Sequence, residues 1–163
     1  MLDRDLIQKL DFKVRSVWLA TWLGCGLMKP APGTWGTIGA LPFGIALLLI
    51  DGWPLLLAAA IIIFAAGYKA AEKFETMTKT HDNSAIVVDE VVGVWIAMLP
   101  AALVPVHILI AFALFRFFDI LKPWPVGWAD KKLPGALGVM ADDVLAGVYA
   151  ALIIGGLRYA GII

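Results

Sequence analysis

The sequence predicts an all-α protein: a compact multi-helix bundle embedded in a membrane, with short spans and its functional loops gathered at the cytoplasmic face. Three observations predict it. Of 163 residues, 61% are hydrophobic and 16% charged, against ~25% charged in ordinary soluble domains, and the mean hydropathy is +0.88. The apolar residues fall in runs of helical length punctuated by Gly, Pro and charged connections. Cationic residues collect in alternate connections, as the positive-inside rule requires of a multi-pass chain. One domain is expected over residues 1–163.

Composition also excludes function classes. The formal net charge is +0 and there is no long Lys/Arg run, so no nucleic-acid partner is indicated. The single cysteine, Cys25, permits no intrachain disulfide and no Cys-based metal site. A Cys-dependent phosphatase would place an Arg six positions on, where Ala31 stands. Cys25 reads as a small packing residue.

In chain order, the start MLDRDLIQKLDFKVR mixes acids with bases, unlike a cleaved signal peptide, and is expected to be retained. Leu10 to Met28 carries Lys13, Arg15, Trp18 and Trp22 and reads as an interfacial helix. Lys29 to Pro42, KPAPGTWGTIGALP, reads as a loop leading into a helix N-terminus. Its prolines oppose a continuous helix, Gly33 and Gly36 allow close backbone approach, and Thr34 and Thr37 supply hydroxyls. It has no Gly-Lys-Ser/Thr ending, so it is not a Walker loop. Ile38 to Ile50 and Trp53 to Tyr68 are apolar and separated by Asp51 and Gly52, a helical hairpin with arms shorter than the ~20 residues of a usual span. Lys69 to Ser84 is polar and continues the helix towards water.

Asp89 and Glu90 then stand at the mouth of an uncharged run from Val91 to Phe115, which Pro100 and Val104 to His107 divide by a turn. In FRFFDILKPWP, Phe115 to Pro125, the three-residue spacing of Arg116, Asp119 and Lys122 lines them on one helical face, and Pro123 ends that helix. Asp142 and Asp143 precede a last apolar run, Val144 to Leu157. Lys9, Lys13, Arg15 and Lys29, then Lys69, Lys73 and Lys79, then Arg116, Lys122, Lys131 and Lys132 occupy alternate connections, whereas the Asp51 and His107 turns carry none. This puts every acidic doublet on the cytoplasmic side.

Carboxylates near a bilayer cost a few kcal/mol each unless partnered, so their gathering suggests a bound cation rather than helix caps alone. Asp89, Glu90, Asp119, Asp142 and Asp143 form an all-oxygen donor set suited to Mg2+. Gly93 follows Asp89 by four and Gly147 follows Asp143 by four, so each shares a face with an acid and lets helices approach closely there. Arg116 and Lys122 suit phosphate oxygens.

These residues fall in three blocks: KPAPGTWGT from Lys29, HDNSAIVVDEVVGVW from His81, and FRFFDILKPWP continued by Asp130 and GVMADDVLAG. Together, in this order, they resemble the phosphatidylglycerophosphatase A family. The resemblance implies a Mg2+-dependent enzyme of the bacterial inner membrane that converts phosphatidylglycerophosphate to phosphatidylglycerol. It marks Asp89, Glu90, Asp119, Asp142 and Asp143 as metal ligands, with Asp89, Asp119 and Asp143 also catalytic. His81 becomes a candidate to protonate the leaving group, though a surface histidine is the simpler reading, and Asp82 and Asp130 keep no assigned role. Gly33, Thr34, Gly36, Thr37, Arg116 and Lys122 are expected to hold phosphate or glycerol. Attack on phosphorus by water activated at the metal is the expected route, with an aspartyl-phosphate on Asp119 or Asp89 as the alternative. A small ion or metal transporter is the rival class, opposed by the lack of acids in the interior of the apolar runs. A lipid alcohol-phosphotransferase or a type-2 phosphatidic acid phosphatase would need signature blocks not seen here.

Overall fold

The computed structural model describes residues 4–8, 10–80 and 83–163, the side chains of Arg4 and Asp5 excepted. Those residues contain helices and no strand: α1 (Arg4–Ile7), α2 (Arg15–Ala20), α3 (Pro32–Thr78), α4 (Val88–Met98), α5 (Pro105–Leu121), α6 (Val126–Lys132) and α7 (Ala136–Tyr159), with a 3-10 turn at Cys25–Leu27. The all-α expectation holds.

The bundle is built around α4, which is buried along most of its length. Its neighbour α3 is a hairpin broken where Asp51 (φ −146°) and Gly52 (φ 69°) leave helical geometry. The second value lies in the left-handed region that favours glycine, so the expected turn is present. On the rising arm Gly36, Ala40 and Gly44 recur every four residues and present a small-residue face to α4. A Cβ on Gly36 would stand 2.5 Å from Val87, one on Gly44 3.0 Å from Trp95, and Trp95 Nε1 donates to the Ala40 carbonyl at 3.0 Å. On the descending arm Gly67 packs against Val88 and Met140. Both arms therefore begin or end beside the N-terminus of α4. Helix α7 runs parallel to α4, for Gly147 meets Gly93 midway along both while Arg158 donates to the Pro100 carbonyl past the end of α4. Helix α5 runs antiparallel, its late residue Arg116 lying 3.7 Å from Glu90 at the start of α4.

Three local expectations are corrected. Leu10 to Met28 is not one interfacial helix. The helical part is six residues long, and positive φ at Trp22, Leu23 and Gly24 reverses the chain. The reason is packing: Trp22 is buried edge-on against Phe43 and Trp95, with centroids 5.3 and 5.7 Å away. Lys29 to Pro42 is loop only to Ala31, because Pro32 takes the first turn of α3, where a missing N–H costs nothing; Pro42 lies inside the helix. His107 is likewise within α5 and buried, the turn before it closing at Val104.

Helices α3 and α7 are long and apolar enough to cross a membrane, with mean hydropathies of 2.4 and 1.8 in their most apolar windows. Only 17% of that window of α3 is buried within the molecule, so most of its apolar surface faces outward. Cys25 packs its sulfur 2.7 Å from where a Gly39 Cβ would stand, consistent with a packing role.

Candidate active site

Chain direction brings the polar ends together. The start of α3, the start of α4, the end of α5, helix α6 and the first half of α7 meet around a cavity of about 360 Å³. Its charged lining is Asp89, Glu90, Arg116, Asp119, Lys122, Asp130, Asp142 and Asp143. What allows the convergence is the contact of α4 with α7. A Cβ on Gly93 would stand 2.8 Å from the Asp143 carbonyl oxygen, so the two glycines put Asp89 and Asp143, one turn away, on facing backbones.

One carboxylate oxygen each from Asp89, Glu90 and Asp143 lies within 4.8 Å of the others. Asp89 and Asp143 are 7% and 3% exposed. Glu90 Oε2 and Asp143 Oδ2 are buried with no hydrogen-bond partner among the described residues. Burial, then the charge of Glu90, holds the Asp89 carboxyl well above its ordinary range. Burial also raises Glu90 to about 8, against the lowering hydrogen bond from Asp89, with the charges of Asp143 and Asp119 adding to the rise. Carboxylates so placed repel one another unless a cation or protons intervene, and an all-oxygen set with orphaned acceptors fits a hard divalent cation.

Two cations border this group. Arg116 Nη1 lies 2.6 Å from Asp119 Oδ2 and 3.7 Å from Glu90 Oε1, the i,i+3 pairing that the sequence spacing implies. Lys122 leaves that face. It caps α5 in the left-handed region, φ 47°, and its Nζ donates to Asp130 Oδ1 at 2.6 Å and Asp142 Oδ2 at 2.8 Å. Burial works against the Lys122 charge, but the bonds to Asp130 and Asp142 outweigh it and raise its pKa. The loop after α5 is held by Tyr149 Oη, which donates to the Trp124 carbonyl at 2.9 Å.

The expected glycine-threonine loop divides. Gly33 lines the cavity, and a Cβ there would overlap Glu90 Oε1 and stand 3.1 Å from Arg116 Nη1. Thr34, Gly36 and Thr37 are not in that lining. Gly36 faces Val87, and the buried Thr37 hydroxyl donates to the Gly33 carbonyl at 2.8 Å, holding the first turn of α3. Asp119 and Asp142 line the cavity but engage Arg116 and Lys122, outside the close trio. His81 and Asp82 lie outside the described residues. Sequence reasoning left Asp130 without a role, and its partner Lys122 is eight positions away across a helix end, where no periodicity could have found it. Asn83 and Ser84 in the lining were signalled only by their place before Asp89.

Comparison with known proteins agrees with the three blocks. Residues 18–158 match the family model described as Phosphatidylglycerophosphatase A. A Haemophilus influenzae protein of that name is 42% identical over 162 residues, 98% of each chain. Its Escherichia coli namesake is 31% identical over 151 residues, 89% of this chain and 86% of that one. A Bacteroides thetaiotaomicron protein provisionally named a phosphatidylinositol-3-phosphatase is 42% identical over 153 residues, 88% of this chain and 93% of its own. No solved structure gives a significant match.

Proposed function

Because the chain belongs to the phosphatidylglycerophosphatase A family, we propose that it hydrolyses the terminal phosphomonoester of phosphatidylglycerophosphate to phosphatidylglycerol and inorganic phosphate, with Mg2+ as cofactor. The observation that carries the chemical reading is the buried trio Asp89, Glu90 and Asp143 beside Arg116. Family membership makes the chain a phosphatase and sets the transporter reading aside.

Asp89, Glu90 and Asp143 would hold the ion, with Asp119 and Asp142 bordering it. Bound there, Mg2+ would neutralise charge on the phosphoryl oxygens and acidify a water molecule. Arg116, with Nη1 fixed by Asp119 and other N–H groups free of that pair, grips a non-bridging phosphate oxygen. Lys122 has three donors and gives two to Asp130 and Asp142, so one remains for a second oxygen. Glycine at position 33 keeps the headgroup side of Glu90 open. Water attacks phosphorus in line, the bond from phosphorus to the glycerol oxygen breaks, and that oxygen takes up a proton from solvent water as it leaves. Asp119, on the same cavity wall, takes the proton from the attacking water.

A membrane setting supports the same reading. The apolar exterior of α3 suits lipid, and the cationic connections accompany the cavity, which favours the cytoplasmic face of the bacterial inner membrane. The headgroup then enters the cavity while the acyl chains stay in the leaflet, and anchoring supplies much of the positioning.

The test is a substrate panel in mixed micelles: phosphatidylglycerophosphate, phosphatidylinositol 3-phosphate, phosphatidic acid and glycerol 3-phosphate. The first should be hydrolysed well ahead of the rest. A preference for phosphatidylinositol 3-phosphate would move the assignment towards the Bacteroides relative, and equal rates on the first and third would mean that the glycerol headgroup is not read.

A further inference from the structure

The seam between the rising arm of α3 and α5 carries a second cavity that the chemistry above does not use. Leu41 and Ile45 of α3 and Leu103, Val104, Ile108 and Leu109 are among the residues that line an apolar groove of about 380 Å³. The polar cavity opens on the same two helices, at Gly33 and at Arg116 and Ile120. Both helices pack closely on α4 but only loosely on each other, so the seam is a real gap in the bundle. Phe112 is spaced by four from both Arg116 of the polar cavity and Ile108 of the groove and therefore shares their face of α5.

Dimensions and polarity agree. From Gly33 to Ile45 the helix rises ~18 Å at 1.5 Å per residue, close to one leaflet's half of a ~30 Å hydrocarbon core. One end is lined by charge and the other by aliphatic side chains. Ile120 is the large apolar side chain of the polar cavity that faces outward, 69% exposed, so the polar cavity meets the lipid-facing surface on this side.

We propose that the α3–α5 seam is an acyl-chain track. One fatty acyl chain of the phospholipid substrate lies along it from the phosphate site to the groove at Leu41, Ile45 and Leu109. The proposal rests on the phospholipid reading of the site. It goes beyond that reading by naming where the lipid's apolar part is held. A chain seated there positions the ester phosphate against Arg116, so the enzyme should discriminate by chain length as well as by headgroup.

Two measurements test it. In the wild-type protein, phosphatidylglycerol bearing a photoreactive diazirine on one acyl chain should mark the segments around Leu41, Ile45, Ile108 and Leu109, and excess unlabelled phosphatidylglycerophosphate should displace it. Label spread equally over Ile61 and Leu152, which face outward elsewhere, or chain-to-chain crosslinks at the groove, would overturn the track in favour of bulk lipid or a second copy. In the second, Ile45→Trp fills the groove. It should lower kcat/KM about tenfold for a dioleoyl substrate, the equivalent of roughly two buried methylenes, while a dihexanoyl substrate changes less than about twofold. An equal fall for both lengths counts against the track. Wild-type enzyme inactive on either length would instead sink the proposed reaction, and the labelling pattern would still decide the seam.

Discussion

Gly147 of α7 crosses Gly93 of α4 with no side chain between them: a Cβ on Gly147 would overlap the Gly93 carbonyl oxygen and stand 3.1 Å from its Cα. Each glycine is one turn from a site carboxylate. Gly147→Ala must therefore push the helices apart and separate Asp89 from Asp143. The expected cost is about 1–3 kcal/mol of stability from overpacking and roughly 100-fold in turnover, the scale of a 1 Å misplacement. Gly156→Ala is the control in the same helix, because nothing lies within 4 Å of its Cβ. It should be neutral, or stabilising by up to ~1 kcal/mol. Thermal melts and activity in detergent separate the two, and an active, stable Gly147→Ala would refute the role of the crossing.

The acidic trio gives a prediction about the cofactor. EDTA should abolish activity and Mg2+ restore it, and Asp89→Asn and Asp143→Asn should each lose roughly three decades of rate, equivalent to ~4 kcal/mol. Binding must also stabilise the fold, by mass action. Wild-type protein should melt higher with Mg2+, and the Asn variants should lose that shift. An Asp143→Asn protein with full activity and an unchanged Mg2+-induced shift would remove Asp143 from the site.

Glu90 predicts a pH effect in the metal-free protein. Its folded pKa is raised from 4.5 to about 8, so between those values the folded state binds more protons than the unfolded one. Stability then falls as pH rises across that window. With EDTA, melting temperature should decline from pH 5 to pH 8, and Glu90→Gln should flatten the decline. A Glu90→Gln protein with the wild-type slope would place the titration elsewhere.

Lys122 ties α6 to α7 through Asp130 and Asp142. Removing the cation leaves two carboxylates facing each other, so a Lys122→Ala, Asp130→Ala cycle should show a coupling of about 0.5–3 kcal/mol in denaturation. No coupling would make the bridge a surface pair without consequence.

Asp51 and Lys131 belong to opposite ends of the bundle. With Cys25→Ala as background, an impermeant thiol reagent added to intact cells should label Asp51→Cys and spare Lys131→Cys. The reverse pattern would invert the proposed orientation while leaving the site chemistry untouched.

The sequence by itself determined the helical class, the hairpin break at Asp51 and Gly52, the end of α5 before Pro123 and the acidic residues that converge. Period, turn chemistry and the charge of isolated residues in apolar surroundings are local properties, and one chain displays them. The spacing of Gly93 after Asp89 and of Gly147 after Asp143 even carried the helix crossing. Only the tertiary structure decided what each polar group meets. Trp22 turned inward because α3 and α4 offered it Phe43 and Trp95, which no local pattern could announce. Gly36 and Thr37 went to packing and to the helix backbone, Gly33 to the cavity, although all three share one motif. Lys122 left the face of Arg116 because its left-handed cap turned it towards Asp130 and Asp142. Partner choice depends on which ends of distant helices become neighbours, and that is set by packing against α4 rather than by anything within a few residues of the side chain concerned.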